Sequence, residues 1–297
     1  EPEATWVQRS DLFQLGEHRL LCGDSTNEAD VALLMNSKLA SLIHADPPYG
    51  MNKEFENDNL HAESLDKFQM EWWKICRSHV EDNGSAYIWG NTEDLWRLWF
   101  QGGLKDSERL TFRNEITWDQ VTGVSWGRDG MAGLRMYAQM GERCLFFMIG
   151  EQGFNNNADN YWEGFEPIRL YLEGERKKMG WDIPTMKRIV GHSDLSGDHW
   201  TSKSQWTFPT EKVYKALQEG SKYAAFNREY AELRDAFYAT RAYFDNTHDN
   251  MSDVWLFPRV MGDDRYGHAT PKPVEMVERI VKSSCISGGL IFDPFTG

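Results

Sequence analysis

Hydrophobic positions along the chain fall into two patterns: short apolar runs bounded by turn residues, and longer stretches with apolar residues three or four apart. "HRLL" before Cys22-Gly23-Asp24, "ASLIHA" (40–45), "SAYIWG" (85–90), "FRNEITW" (112–118), "ERCLFFMIG" (142–150) and "LIF" before Asp293 read as strands. "VALLMNS" (31–37) reads as a helix, and "LDKFQMEWWKICRSHV" places Leu65, Phe68, Trp72, Ile75 and Cys76 at helical spacing. "NTEDLWRLWF" carries a capping Asn or Thr, then acids, then apolar residues, which marks a helix start. Strands alternating with helices predict an α/β fold on an open sheet, with ligands outside the carboxyl ends of its strands.

The pattern breaks at Glu151. "EQGFNNNADNYWEGFEP" is polar and turn-rich, and strand–helix alternation does not return until the end of the chain. Residues 151–265 are expected to be an inserted, mainly helical domain. Within it "IPTMKRIVG" and "SQWTFPTEKVYKALQEG" predict helices over 184–191 and 209–219. "KYAAFNREYAELRDAF" sets Tyr223, Phe226, Tyr230, Leu233 and Phe237 on one stripe, a helix-packing seam. Residues 1–17 form an entry segment, 18–150 the first part of the sheet domain and 266–297 its second part. In that second part "HATPKPVEMVERIVKSS" offers Thr270 as a cap, Pro271 at the first helical position, and Val274, Val277, Ile280 and Val281 inward.

Composition sharpens this outline. With 297 residues, 40% hydrophobic and 13% aromatic, the chain can bury a full core. Cys22, Cys76, Cys144 and Cys285 are scattered without a CxxC pair, so no zinc site or disulfide framework follows and no metal is expected. No apolar stretch is long enough to span a bilayer, and a cytoplasmic setting is expected. The chain lacks an initiator Met and is expected to be a fragment. A formal charge of −14 weighs against a purely electrostatic nucleic-acid binder, yet basic residues bunch at Arg176, Lys177 and Lys178 and again at Lys187 and Arg188. Those bunches read either as a solvated helix face or as a local phosphate-binding surface.

Candidate chemistry gathers where strands stop. "ASLIHA" runs into Asp46-Pro47-Pro48-Tyr49, which supplies a carboxylate, two residues of fixed backbone angle and an aromatic ring. Asp24 follows an upstream strand, "DPFTG" (293–297) follows the last one, and "HATPKP" opens a helix whose free N–H groups can hold a carboxylate. Several strand ends and one helix start can therefore converge on a polar, zwitterionic ligand. The polar loop "NKEFENDNLHAES" (52–64) is a candidate lid. Alternation puts His44 on the opposite strand face from Ala45, and it receives no catalytic role.

The set "GDST", "DPPYGM", "HATPKP" and "IFDPFTG" resembles the DNA amino-methyltransferases, which transfer a methyl group from S-adenosylmethionine to exocyclic amines of bases. DPPY before the inserted domain and DPF after it resembles the permuted class that contains the cell-cycle-regulated adenine methyltransferases. The resemblance implies a Rossmann-like methyltransferase sheet with helices on both faces, double-stranded DNA as partner, adenine N6 as acceptor and a bacterial or phage restriction–modification setting. It implies that Asp46 and the backbone carbonyl after it accept the amine hydrogens, that Pro47 and Pro48 fix that carbonyl, and that Tyr49 stacks on a flipped base. Asp24 would meet the adenosyl amino group, and Asp293, Phe295 and Gly297 the methionine portion. Lys272, otherwise a surface lysine, would hold the cofactor carboxylate.

In the inserted domain His199, Lys203 and Gln205 suit phosphate and adenine edges, beside Trp200 and Trp206, which read equally well as core. Cytosine N4, an RNA substrate, a non-catalytic partner subunit and a homodimer all stay open. The family pattern also implies a further strand after Gly297, between the DPF strand and the "HRLLCGD" strand. The natural chain is therefore expected to continue, or a partner to fill the gap, and these 297 residues alone to bind the donor weakly.

Overall fold

The computed structural model of the protein describes residues 6–50, 59–60, 63–101, 104, 110–121, 133, 135, 137, 141–150, 165–191, 199–203, 206–221, 224–239, 241–248, 251–265, 268 and 270–296. These fall in two compact units, Glu1–Gly150 with Ala242–Gly297, and Glu151–Arg241. The candidate lid at 52–64 lies largely outside the described residues.

In the first unit a hairpin of β1 (Leu12–Leu15) and β2 (His18–Leu21) precedes helix α1 (Glu28–Met35). Asn27 caps α1 by accepting from the backbone N–H groups of Ala29 and Asp30. Strand β3 (Ala40–Ala45) leads to α2 (Glu63–Arg77) and β4 (Val80–Gly90). Helix α3 (Thr92–Trp96) then continues as a π-helical turn, Arg97–Gln101. Strands β5 (Leu110–Asp119) and β6 (Gly141–Ile149) follow. After the second unit come β7 (Val254–Leu256), a 3-10 turn (Gly262–Arg265), a helix over Val274–Ser284 and β8 (Ile291–Phe292).

The six-stranded sheet has the order β7-β5-β6-β4-β3-β8. Strands β8, β3 and β4 are mutually parallel, as are β5 and β7, while β6 runs antiparallel to both β4 and β5. Five strands therefore point one way and β6 the other. The carboxyl ends of β8, β3, β4, β5 and β7 share one sheet edge with the amino end of β6. Helices cover both faces. Ile43, Ala45, Ile88 and Phe147 pack with Trp72, Trp73 and Cys76 of α2 on one face. Leu42, Tyr87, Trp89 and Phe146 pack with Met276 and Ile280 of the 274–284 helix on the other. The fold is the expected mixed α/β sheet flanked by helices.

Three expectations need correction here. β2 pairs with β1 in a separate two-stranded sheet rather than joining the main one, and β3 is the one neighbour of β8 among the described residues. The inserted unit ends at Arg241 rather than 265, because β7 pairs with β5 in the main sheet. The helix after "HATPKP" begins at Val274, not at Pro271. Its residue before Pro273 is Lys272, and a residue before proline is pushed toward extended backbone, so 270–273 cannot be helical.

The second unit is helical, with α4 (Glu166–Lys178), α5 (Ile183–Val190), α6 (Glu211–Gly220) and α7 (Tyr230–Tyr238), so the helix over 274–284 is α8. Its core joins Ile168, Leu172, Met186, Tyr214, Leu217, Phe226 and Leu233 with Trp200 and Trp206. Helices α5 and α6 lie where "IPTMKRIVG" and "TEKVYKALQEG" predict them, and α4 was not anticipated. The aromatic stripe is only partly helical. Ala224 and Phe226 sit at positive φ ahead of α7, where a left-handed backbone interrupts helix propagation. Phe226 still reaches the core, its N–H donating 2.9 Å to Glu175 Oε2.

Candidate functional site

The edge where five strands end and β6 begins gathers the polar residues of the sheet unit. Asp46 follows β3, Asp293 follows β8, Trp89 and Trp118 are the last but one residues of β4 and β5, and Glu142 is the second of β6. Lys272 enters this edge from the extended segment before α8. Its Nζ donates to Asp46 Oδ2 at 2.6 Å and lies 3.0 Å from Glu142 Oε2. The ammonium is 5.1 Å from the Trp89 ring centre, 5.6 Å from that of Tyr49 and 5.9 Å from that of Trp118. It therefore sits in a box of three aromatic rings and two carboxylates. Burial works to lower the Lys272 ammonium, but the Asp46 and Glu142 charges outweigh it and hold its pKa above the ordinary lysine value.

Asp46 is fully engaged. Tyr49 donates its phenol O–H to Oδ1 at 2.5 Å, and Lys272 takes Oδ2. Burial first, then the Asp46 and Glu142 charges, raise the Tyr49 phenol well above its usual value, so it stays a proton donor. The chain after Asp46 is pinned from outside. Gln69 Nε2 donates to Pro48 O at 3.0 Å, itself held by Trp72 Nε1 donating to its Oε1. Asn91 Nδ2 donates to Tyr49 O at 3.3 Å. Pro47 is buried, and its carbonyl oxygen accepts no hydrogen bond among the described residues. Pro48 and Tyr49 are thus held through their carbonyls by two side chains of neighbouring elements.

On the β8 side, Asp293 Oδ1 accepts from Phe295 N at 2.8 Å, and Oδ2 lies 3.0 Å from His44 Nδ1. Phe295 packs edge-on against Trp72, with ring centres 5.2 Å apart. A groove here is lined by Leu21, Gly23, Asp24, Asp30, Val31, Leu34, Phe292, Asp293 and Pro294 among others. Asp24 and Asp293 therefore share one groove although β2 lies outside the main sheet. Asp24 Oδ1 accepts from Thr26 N and Oγ1, and Oδ2 from Arg9. Burial alone would raise Asp24, but the Thr26 and Arg9 hydrogen bonds prevail and lower it.

The structure brings Asp46, Pro47, Pro48, Tyr49 and Lys272 together, and Asp24, Asp293 and Phe295 together. Gly297 and Gln205 lie outside the described residues. Lys272, expected to hold a ligand carboxylate, here meets Asp46 and Glu142. Glu142 and Gln120, which donates to Glu142 Oε1 at 3.0 Å, were not anticipated.

The basic residues of the inserted unit are mostly internal partners. Arg176 donates to Trp181 O, Lys177 pairs with Glu173 at 2.7 Å, Lys178 with buried Glu175, and Lys203 lies 3.7 Å from Glu166. Lys187 and Arg188, on α5, have no ion-pair partner among the described residues. His199 is half-buried, its carbonyl accepting from Thr207 N. Trp200 and Trp206 are core, with Trp206 stacked on Phe165 at 4.5 Å.

Comparison with known proteins adds the following. A family model described as DNA methylase, of the N6/N4 type, matches residues 40–297. The type II methyltransferase M1.MboII of Moraxella bovis is 21% identical over 289 residues, covering 94% of this chain and 83% of its own. The type II methyltransferase M.HpaI of Haemophilus parainfluenzae is 21% identical, covering 95% of this chain and 64% of its own. The DNA adenine methyltransferase YhdJ of Escherichia coli K12 is 22% identical over 262 residues, 86% of this chain and 64% of its own. The chain thus spans just under two thirds of the length of the last two relatives. Among solved structures, M1.HpyAVI superposes with a TM-score of 0.42 at 12% identity, over 92% of this chain and 79% of its own.

Proposed function

Since this chain belongs to the N6/N4 DNA methylase family, we propose that it methylates the N6 amine of adenine in double-stranded DNA, with S-adenosylmethionine as donor. The observation that carries this is the carboxylate of Asp46 at the common strand edge, followed directly by a Pro47 carbonyl that no described group occupies and by Pro48 and Tyr49, which Gln69 and Asn91 hold. The DPPY sequence supports adenine by resemblance, as does the likeness to a relative named an adenine methyltransferase.

The residues fit the donor. The groove sets apolar walls of Leu21, Val31, Leu34 and Phe292 beside two acids, Asp24 and Asp293. That donor set suits a purine flanked by amino and ammonium groups. When bound, S-adenosylmethionine supplies a methyl group already activated on a sulfonium, so positioning of the acceptor carries most of the rate.

An exocyclic amine is a weak nucleophile because its lone pair is delocalised into the ring. Asp46 Oδ and Pro47 O accept its two hydrogens and favour a pyramidal nitrogen with a directed lone pair. Tyr49 offers its ring to the base turned out of the duplex. In this structure both Asp46 oxygens are occupied, so one contact must yield. Lys272 can yield because Glu142 already stands 3.0 Å away as an alternative seat for its charge. Lys187 and Arg188 are the first candidates for phosphate contacts in the inserted unit, with Arg176, Lys177, Lys178, His199, Lys203 and Gln205 behind them.

The test incubates the intact protein with labelled donor and duplex DNA, then identifies the modified nucleoside and its context. N6-methyladenine is expected. N4-methylcytosine would overturn the choice of base, and label in RNA alone the choice of substrate. Asp46→Ala should abolish transfer while fold and DNA affinity persist, and near-normal turnover in that variant would sink the mechanism.

A further inference from the structure

His44 belongs to neither half of the site as described, yet it touches both. It is the fifth residue of β3, its side chain is 6% exposed, and each ring nitrogen has one partner. Trp89 Nε1, which can only donate, points at His44 Nε2 at 3.0 Å. Nε2 is therefore the acceptor nitrogen, and the ring proton lies on Nδ1, where it is donated to Asp293 Oδ2 at 3.0 Å. Trp89 is also a wall of the box around Lys272 and stands edge-on to Trp118. One imidazole, locked in one tautomer, thus joins the acid of the donor groove to the aromatic wall beside Asp46.

We propose that His44 is a positioning residue that couples the two half-sites: Nδ1–H orients Asp293 toward the donor, while Nε2 fixes Trp89 and through it the acceptor box. The coupling rests on the proposed donor reading; the tautomer does not. Phe295 N on Oδ1 and His44 on Oδ2 restrain the Asp293 carboxylate, and Asp293 lines the groove. Asn and Gln separate the two functions, since an Asn amide reaches the Nδ1 position and a Gln amide the Nε2 position.

Nitrogen-15 NMR of the imidazoles in the intact protein should show His44 protonated on Nδ1 and bare on Nε2. Calorimetry with S-adenosylmethionine should find His44→Asn within about threefold of wild type and His44→Gln weaker by about tenfold or more, the loss of one hydrogen bond to a charged acceptor. Base capture, read with a fluorescent analogue at the target position, should show the reverse order. An Nε2–H tautomer, or equal donor affinities in the two variants, overturns the proposal. If neither variant folds, the coupling is read in wild type: S-adenosylmethionine should shift the His44 Nδ1 and Trp89 Nε1 resonances together, and an unmoved Trp89 signal overturns it. An intact wild type with the Nδ1–H tautomer but no donor affinity overturns the donor reading, and with it the coupling, while the lock stands.

Discussion

Lys272→Met replaces the ammonium between Asp46 and Glu142 with an apolar chain of similar length. The two ion contacts, 2.6 and 3.0 Å long, each carry roughly 6 kcal/mol of attraction at an effective dielectric of about 20. Much of that is offset by the several kcal/mol that desolvating a side chain only 9% exposed costs. Without the lysine, two carboxylates face each other. The two contact lengths cap the separation of their oxygens at about 5.6 Å, so the repulsion left behind is about 3 kcal/mol or more on the same scale. The expected loss of unfolding free energy near neutral pH is therefore about 3–5 kcal/mol. Urea denaturation reads it as a lower midpoint with an unchanged slope. The loss should shrink as pH falls, because protonating either carboxylate removes the repulsion and the native variant then binds the extra proton. Adding Glu142→Gln should recover about 2–3 kcal/mol through the same term. In wild type the Lys272 pKa is raised, so its contribution is whole below the unfolded lysine value and lost as pH rises through the raised one. Wild type should show an alkaline loss of stability that Lys272→Met lacks. A change within about 0.5 kcal/mol, the range of a surface lysine, or a strictly additive double variant, would refute the paired site.

Tyr49→Phe keeps the ring but removes the donor to Asp46, so a fluorescent base analogue at the target should still report capture, whereas Tyr49→Ala should lose it. Neutralising Lys187 and Arg188 should weaken DNA binding across all sequences and flatten its salt dependence by nearly one unit of slope per contact. Lys177→Gln, already paired with Glu173, should move the slope less, and an unchanged slope for all three would return α5 to plain solvated surface. Trp206→Ala should destabilise the inserted unit by about 3–5 kcal/mol, as a core indole does. A near-neutral melt would place Trp206 at a surface instead.

The strand ends were legible because each apolar run stops at residues unlike those of an ordinary turn, an acid followed by proline and an aromatic ring. Asp46-Pro47-Pro48-Tyr49 after β3 and Asp293-Pro294-Phe295 after β8 were read from one-dimensional pattern alone, and both arrive at the same sheet edge. Helix α4 was readable in principle, since Ile168, Leu172 and Glu175 lie on one buried face. Gly174 in its interior and the polar run before it hid the period. The domain boundary at 265 failed for a different reason: three residues, Val254–Leu256, are too short a run to announce a strand, and only pairing with β5 makes them one.

Glu142 could not be found by looking for carboxyl ends of strands, because it lies at an amino end. Only the reversal of β6 between β4 and β5 brings that end to the edge where the other strands finish. Strand direction is a property of the sheet, absent from "ERCLFFMIG" itself. Lys272 carries the same lesson in charge. A lysine after a proline reads as solvent-facing or as a ligand for an anion, and its pairing with two carboxylates depends on segments 130 and 226 residues away in sequence. Without Glu142, a buried ammonium beside Asp46 would neutralise the carboxylate on which the proposed mechanism relies. With Glu142 sharing it, the two carboxylates and the lysine keep one net negative charge, and the acceptor role proposed for Asp46 needs Lys272 to shift onto Glu142. The antiparallel strand is thus what brings a second carboxylate to the buried lysine beside Asp46.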